Sequence, residues 1–321
     1  MELKWIMGIS VAMAMGYGAV LIATGPKGGT YYQIGKDIAT VCGKELEGLQ
    51  VAETAGSVDN LKKMARSSKY KFAIVQYDVL IRLKEKAPRL AKKFKIVTPL
   101  YGEEIHLITL KSNPINNLSD LKGKKIVVGS KNSGDAVTAA VISNLTKIKF
   151  KKIFIPVQEG LVKLLQGKVD GVLMVGGAPM KILDIKPSQP IFSKFKEVIS
   201  ISPAVGEGQK LEDVYYPTTI TTSQYQWLDG DVKTREVESV LISYNSKEGS
   251  KDYKRVQKLY QCLSDNLPRL KSESQFHPKW EEVNLKGFDR VKWDIHPAVE
   301  ELTNLNNPNR DLIQYFKNRR Q

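Results

Sequence analysis

The sequence predicts an α/β protein of two lobes with a cleft between them, and three observations carry that prediction. The chain has 321 residues, enough for two domains of ~150 residues each and a sizeable core. Its apolar runs alternate with helical patterns, as in mostly parallel sheets whose strands are joined by helices. From Lys95 a second series of the same kind begins and repeats the first. Hydrophobic residues at 42% and charged residues at 26% are ordinary globular values, which excludes a disordered, collagen-like or polytopic membrane chain. Two cysteines exclude a disulfide scaffold, and three histidines, none near another, leave little material for a zinc site. No metal or cofactor is expected.

Taken in order, the chain opens with Lys4 and an uncharged run from Trp5 to Ala23. A cleaved signal peptide over residues 1–18 is the favoured reading, with Ala12-Met13-Ala14 or Ala14-Met15-Gly16 before the cut. An uncleaved membrane anchor of ~20 apolar residues is the alternative. AVLIATG then reads as a buried strand ending at Gly25-Pro26. A helix follows from about Tyr31 to Leu46, then LQVAETA, a helix from about Val58, and KFAIVQYD. The second series runs KIVTPLYGEEIHLITL, KKIVVGS, a helix from about Asp135 to Leu145, KKIFIPV, a helix around Gly160 to Gln166, and VDGVLMV. The Pro- and Asn-containing connector SNPINNLSDLKGKK reads as the surface crossing between lobes. The return strand ends in VLISYN, and after Ser246 an amphipathic helix carries Tyr253, Val256, Leu259, Tyr260 and Leu263 at spacings of three and four. Residues 19–108 plus 240–321 are expected to form one lobe and 109–239 the other.

Ligand groups in α/β proteins sit where strands turn into helices. Five such turns occur here. GPKGGTYYQIG offers glycines at 25, 28 and 29 and a hydroxyl at Thr30, which can cap the next helix. An anion would sit well at that helix start, although the segment is neither a Walker A loop nor GxGxxG. ETAGSVDNLKKM places Gly56 and Ser57 before a helix, with Ser57 as its expected cap. KFAIVQYDVL ends a strand in Gln76, Tyr77 and Asp78. VVGSKNSGDAVTAAV carries Ser130, Ser133 and Gly134, and VDGVLMVGGAPMKIL carries Gly176, Gly177 and Pro179. Each turn alone reads as helix capping. Their joint order describes a cleft lined with glycines, hydroxyls and helix N-termini.

The ordered motifs GGTYYQIG at 28–35, TAGSVDNL at 54–61, FAIVQYDV at 72–79, PLYGEEIHLI at 99–108, LSDLKGKKIVVGSKNSG at 118–134 and GKVDGVLMVGGAP at 167–179 resemble the TAXI solute receptors of tripartite ATP-independent periplasmic (TRAP) transporters. That resemblance implies a type II periplasmic-binding-protein fold, with two α/β lobes joined by two crossing strands and a ligand cleft between them. It implies a periplasmic, monomeric binding protein without catalysis. Such a protein closes on a small anionic or zwitterionic carboxylate, such as glutamate or a dicarboxylate, and delivers it to the membrane permease subunits. Thr30, Tyr31, Ser57, Gln76, Ser133 and Gly134 are the expected ligand contacts, with Asn60, Tyr32 and Pro179 as second choices. The substrate-binding protein of an ABC importer for sulfonates, nitrate or a thiamine precursor shares the fold and is the alternative. The chain departs from the family pattern at Asp135, where a small hydroxyl residue is common; an acidic side chain pointing into the cleft would disfavour a bound carboxylate, so either Asp135 caps its helix or the ligand carries an amine nearby. It departs again where Arg235, Glu236 and Glu238 interrupt the return strand.

Other chemistries are weaker. His106 lies in an apolar run and reads as a structural histidine held by Glu103 or Glu104, and His277 and His296 read as packing residues. No nucleophile signature such as GxSxG accompanies them. The formal charge of +15 is dispersed and carries no nucleic-acid motif, so no nucleic-acid partner is expected. Cys42 and Cys262 fall in one lobe, either as a bridge in an oxidising compartment or as two small buried hydrophobes.

Overall fold

The computed structural model describes residues 20–206, 211–212 and 214–304. The expected signal peptide over 1–18 lies outside the described residues. No described helix is long and apolar enough to cross a membrane.

In the first lobe the strands are β1 (Leu21–Ala23), β2 (Gln50–Ala52) and β3 (Tyr70–Gln76), joined by α1 (Thr30–Cys42) and α2 (Ser57–Arg66). α1 buries Tyr31, Ile34, Ile38 and Cys42 at helical spacing against this sheet. It stops at Cys42 rather than Leu46, with Gly43 as its C-cap donating to Ala39 O, and the chain then turns away through left-handed Glu47 and Gly48 (φ 57° and 76°). After β3 come α3 (Tyr77–Lys86), α4 (Pro88–Ala91) and the long β4 (Phe94–Leu110).

The second lobe holds β5 (Lys125–Val127), α5 (Gly134–Thr146), β6 (Lys151–Ile153), α6 (Val157–Leu165), β7 (Gly171–Gly176), α7 (Phe192–Val198), β8 (Ile199–Ile201) and β9 (Tyr216–Ile220). β10 (Val232–Tyr244) then returns the chain to the first lobe, which α8 (Lys251–Ser272) and α9 (Pro297–Asn304) complete. All six residues of β7 are buried, as in a strand covered on both faces.

One ten-stranded sheet runs through both lobes in the order β2-β1-β3-β10-β4-β7-β5-β6, with β8 on β4 and β9 on β10. Only its outer blocks are parallel. The central strands β4 and β10 pair antiparallel with each other and with their neighbours, so the sheet is less parallel than the alternation suggested. The crossing is made inside these strands rather than by the connector at 112–125. β4 pairs with β10 from Phe94 to Glu104 and with β7 from Glu104 to Ile108. The charges that seemed to interrupt β10 stay in the ladder because each has a partner: Arg235 meets Glu212 at 3.3 Å, and Arg290 meets Glu236 at 2.5 Å and Glu238 at 3.2 Å.

The cores follow the lobes. Ile22, Ile34, Ile38 and Phe72 pack with Leu259, Leu263 and Trp280 of the returning chain, whereas Ile105, Ile126, Ile142 and Leu173 form a separate cluster. Cys42 and Cys262 are bridged, with Cα atoms 5.9 Å apart, fastening α8 to α1 across 220 residues of sequence.

Candidate functional site

The C-terminal ends of β1 and β3 in one lobe, and of β5 and β7 in the other, open on a common cavity of about 380 Å³. That volume suits a small solute. Thr30, Tyr31, Ser57, Gln76, Ser133 and Gly134 all line it, so the first-choice residues from four separate turns are brought together. Asn60, Tyr32 and Pro179 are not among the lining residues. Asn60 is fully buried and used elsewhere, donating to Thr24 O and Ile74 O and accepting from Thr54; it pins the α2 start to the sheet. Tyr32 follows Tyr31 on a helix and points to another side. Pro179 follows a cis peptide bond in the turn after β7.

Helix starts supply much of the wall. α1 and α2 begin after Gly29 and Gly56, and neither has a side-chain cap. Thr30 and Ser57 are therefore the first residues of their helices rather than caps. Gly56 has φ +105°, which L side chains rarely adopt. Thr30 Oγ1 reaches across the cleft and donates to Gly177 O at 3.1 Å. Ser57 Oγ accepts from Gln76 N–H at 3.1 Å and lies 3.2 Å from the Tyr31 hydroxyl. Ser133 is a true cap of α5, accepting from Ala136 N–H.

The two lobes touch around this cavity. The Gln76 amide lies so close to Gly134 of the opposite lobe that a Cβ there would overlap it. Lys62 Nζ donates to Asn132 Oδ1 at 2.7 Å. Asp78 Oδ2 accepts from Thr138 at 2.7 Å and Tyr215 at 2.9 Å, and burial pushes the Asp78 carboxyl up to about 6 although those hydroxyls oppose the shift. These contacts join the two sides of the cavity.

The electrostatics of the wall are acidic. Glu103 and Asp135 line the cavity, and no lining residue among the described ones is Lys, Arg or His. Burial pushes the Glu103 carboxyl well above its usual range; the Tyr31 hydroxyl opposes this, and Asp78, Asp135 and Glu104 add to it. Asp135 accepts from Val175 N–H at 2.9 Å, yet burial drives it to about 7, with Asp78 nearby. The inward Asp135 matches the sequence departure noted above. Glu103 was missed as a site residue, although a carboxylate inside the apolar run LYGEEIHLITL was the signal for it. Gly129 and Ser130 beside Ser133, and Met174 to Gly176 and Met180 beyond β7, also line the cavity.

His106 has the structural role expected, held by the backbone rather than the carboxylate of Glu104 and by Tyr225. Its Nδ1 faces the Glu104 backbone carbonyl at 2.9 Å and its Nε2 the Tyr225 hydroxyl at 3.0 Å, and burial lowers it to about 4. His277 caps Lys279 N–H at 3.1 Å.

A model of the NMT1-like family matches residues 22–299. Among solved structures, one described as a periplasmic transporter aligns with TM-score 0.56 at 13% identity, covering 94% of this chain and 98% of that one. An ancestral arginine-binding protein bound to arginine aligns with TM-score 0.50 at 16% identity, covering 84% and 99%. A mutant of ArgBP from T. maritima aligns with TM-score 0.50 at 10% identity, covering 83% and 96%. At these identities the likeness is one of fold, and the fold is that of periplasmic solute-binding proteins.

Proposed function

Since the chain belongs to the NMT1-like family, we propose that it is an extracytoplasmic receptor that closes on a small carboxylate-bearing solute and hands it to a membrane permease. The observation that carries this reading is the cavity of about 380 Å³ whose wall is assembled from helix starts and strand ends of both lobes. Solute contacts made from both sides favour the closed arrangement, and the shift in population equals the difference in affinity between closed and open forms. The solute's carboxylate is held by the uncapped starts of α1 and α2 and by neutral donors, with no obligatory Arg. The reading assigns no catalytic step. The Cys42–Cys262 bridge supports a periplasmic or extracellular location, where disulfides persist.

Two transporter classes accommodate such a receptor. The motif series from 28 to 179 supports the TAXI-type receptor of a TRAP transporter. The fold likeness to arginine-binding proteins, one of them solved with arginine bound, supports an amino-acid receptor of an ABC importer. Reconstituted uptake separates them: transport that needs an ion gradient and no ATP supports the first, and transport that needs ATP supports the second. The receptor reading itself is tested by denaturing natively purified protein, identifying the released small molecule by mass spectrometry, and adding it back to solute-free protein. A concentration-dependent rise in Tm is the expected outcome, by about 2.7 kcal/mol of added stability at a hundred times Kd; no released molecule and no rise would refute the reading.

A further inference from the structure

The cavity wall contains polar groups that the protein leaves unmatched. Both amide atoms of Gln76, Glu103 Oε1 and Ser130 Oγ are buried without a hydrogen-bond partner, and all three residues line the cavity. Buried groups of this kind are rare in native proteins and need an explanation. Other buried carboxylates here are answered: Glu104 by Lys279, Asp37 by Trp280 and the His277 N–H, Asp78 Oδ2 by two hydroxyls. Asp78 Oδ1 and Glu238 Oε2 also lack a hydrogen-bond partner, but of these three only Glu103 lines the cavity a solute would fill.

We propose that the cavity selects a solute with a protonated amine, and that Glu103 is the specificity-determining residue that receives it. The proposal rests on the receptor reading above and narrows its solute class. An ammonium beside Glu103 Oε1 supplies the missing partner, with the Tyr31 hydroxyl adjacent. With no cationic side chain in the lining among the described residues, one carboxylate on the solute goes to the uncapped helix starts, where the Gln76 amide stands unpartnered. A second carboxylate would have no counter-charge and would face Glu103 and Asp135. Met174, Val175, Met180 and Ile182 give the remaining wall an apolar character. The class that satisfies all of these is an α-amino acid with an uncharged, apolar side chain, and diacids are rejected.

A competing use of Glu103 is conceivable on the same geometry: a protonated carboxyl could donate to a solute carboxylate. The two differ in the sign of their pH dependence. The titratable groups that interact with Glu103 are Tyr31 from α1, Asp78 from α3, Tyr101 and, from the other side of β4, Glu104, and Asp135 from α5. Burial among them raises the Glu103 carboxyl and favours its protonated form, so an ammonium, which pairs with the carboxylate, displaces that proton and its affinity rises with pH. A carboxylate docked on the protonated acid would instead lose affinity as pH rises.

The test is calorimetric titration of solute-free protein with L-leucine, L-methionine, 4-methylpentanoate and succinate. L-leucine or L-methionine is expected to bind, with an affinity that rises with pH. 4-Methylpentanoate, which is L-leucine without its amine, is expected to bind at least about 30-fold more weakly. Glu103→Gln is expected to weaken the amino acid by a similar factor and leave 4-methylpentanoate unchanged, its melting curve reporting that it is folded. Binding of succinate or 4-methylpentanoate as tight as that of the amino acids, or an affinity that falls with pH, overturns the proposal and leaves the receptor reading standing. No binding by any probe, at any pH, with no molecule released from the native protein, overturns both.

Discussion

Glu103 and Glu104 are neighbours on the strand that crosses between the lobes, each is no more than 2% exposed, and the protein treats them in opposite ways. Successive residues of a strand face opposite sides of its sheet. On one side, Glu104 accepts from Lys279 Nζ at 2.6 Å and from the Ala178 N–H at 2.9 Å, and Lys279 reaches on to Glu282 at 2.6 Å. Burial raises the Glu104 carboxyl, and Lys279 opposes it. On the other side, Glu103 faces the cavity with Oε1 unmatched. The difference teaches how to read a buried charge. Where the chain supplies a counter-ion the group is part of the frame, here fastening the turn after β7 to the C-terminal segment beside the crossing; where it supplies none, the group awaits something from outside.

The largest effect expected from this contrast is on the matched side. Lys279→Met removes the cation and leaves Glu104 buried and unpaired, which costs about 3–5 kcal/mol in such settings. Urea unfolding should show that loss in the single variant and recovery of most of it in Lys279→Met combined with Glu104→Gln. A loss below about 1 kcal/mol in the single variant would mean that water or a shifted side chain replaces the lysine, and the contrast between the two faces would collapse.

Much of the arrangement was legible in the sequence, for identifiable reasons. Strand-to-helix turns announce themselves through glycine and hydroxyl residues, so Thr30, Tyr31, Ser57, Gln76, Ser133 and Gly134 could be named before their distances were known. The lobe crossing was misplaced because a Pro- and Asn-rich connector is a louder signal than the middle of a strand, and nothing local marks where β4 exchanges β10 for β7 as its neighbour. Asn60 lies away from the cavity lining: its spacing from Ser57 places it near the helix start, while its partners are Thr24, just past β1, and Ile74 of β3. Lys279 could not be found at all: HPKW reads as tail packing, and its partner Glu104 is 175 residues away. Long-range pairing of this sort has no local signature.

A smaller effect concerns the carboxyls at and beside the cavity, and its sign follows from their direction of shift. Asp78 lies near 6 and Asp135 near 7, both raised chiefly by burial. A folded pKa above the unfolded one means the native state holds extra protons. Stability is then greatest at the acid end of that interval and is lost as pH rises from about 4 through about 7. Solute-free protein should lose about 1–3 kcal/mol over that range, at no more than about 1.4 kcal/mol per pH unit for each group. Asp135→Asn should flatten the curve while keeping an acceptor for the Val175 N–H. A stability that instead climbs through the same interval would mean these carboxyls are stabilised as anions, and the acidic wall would then be part of the frame, like Glu104.

The smallest effect sharpens the contrast most. Glu103→Gln keeps the shape of the side chain and an oxygen for the Tyr31 hydroxyl, and it replaces a carboxyl whose neutral form burial already favours. Its unfolding free energy at neutral pH should stay within about 1 kcal/mol of the parent, as for changes that break no native contact. The same substitution removes the negative charge that pairs with an ammonium. Tm measured without solute should therefore be nearly unchanged, and an equal rise in Tm should need about 30-fold more L-leucine or L-methionine. A drop of about 3 kcal/mol or more would place Glu103 with Glu104 in the frame, because a loss that large requires a partner now left unmatched. An unchanged Tm with an unchanged response to the amino acids would show that neither face of the crossing strand reads the solute, and would move the search for the amine's acceptor to Asp135, the other carboxylate in the lining.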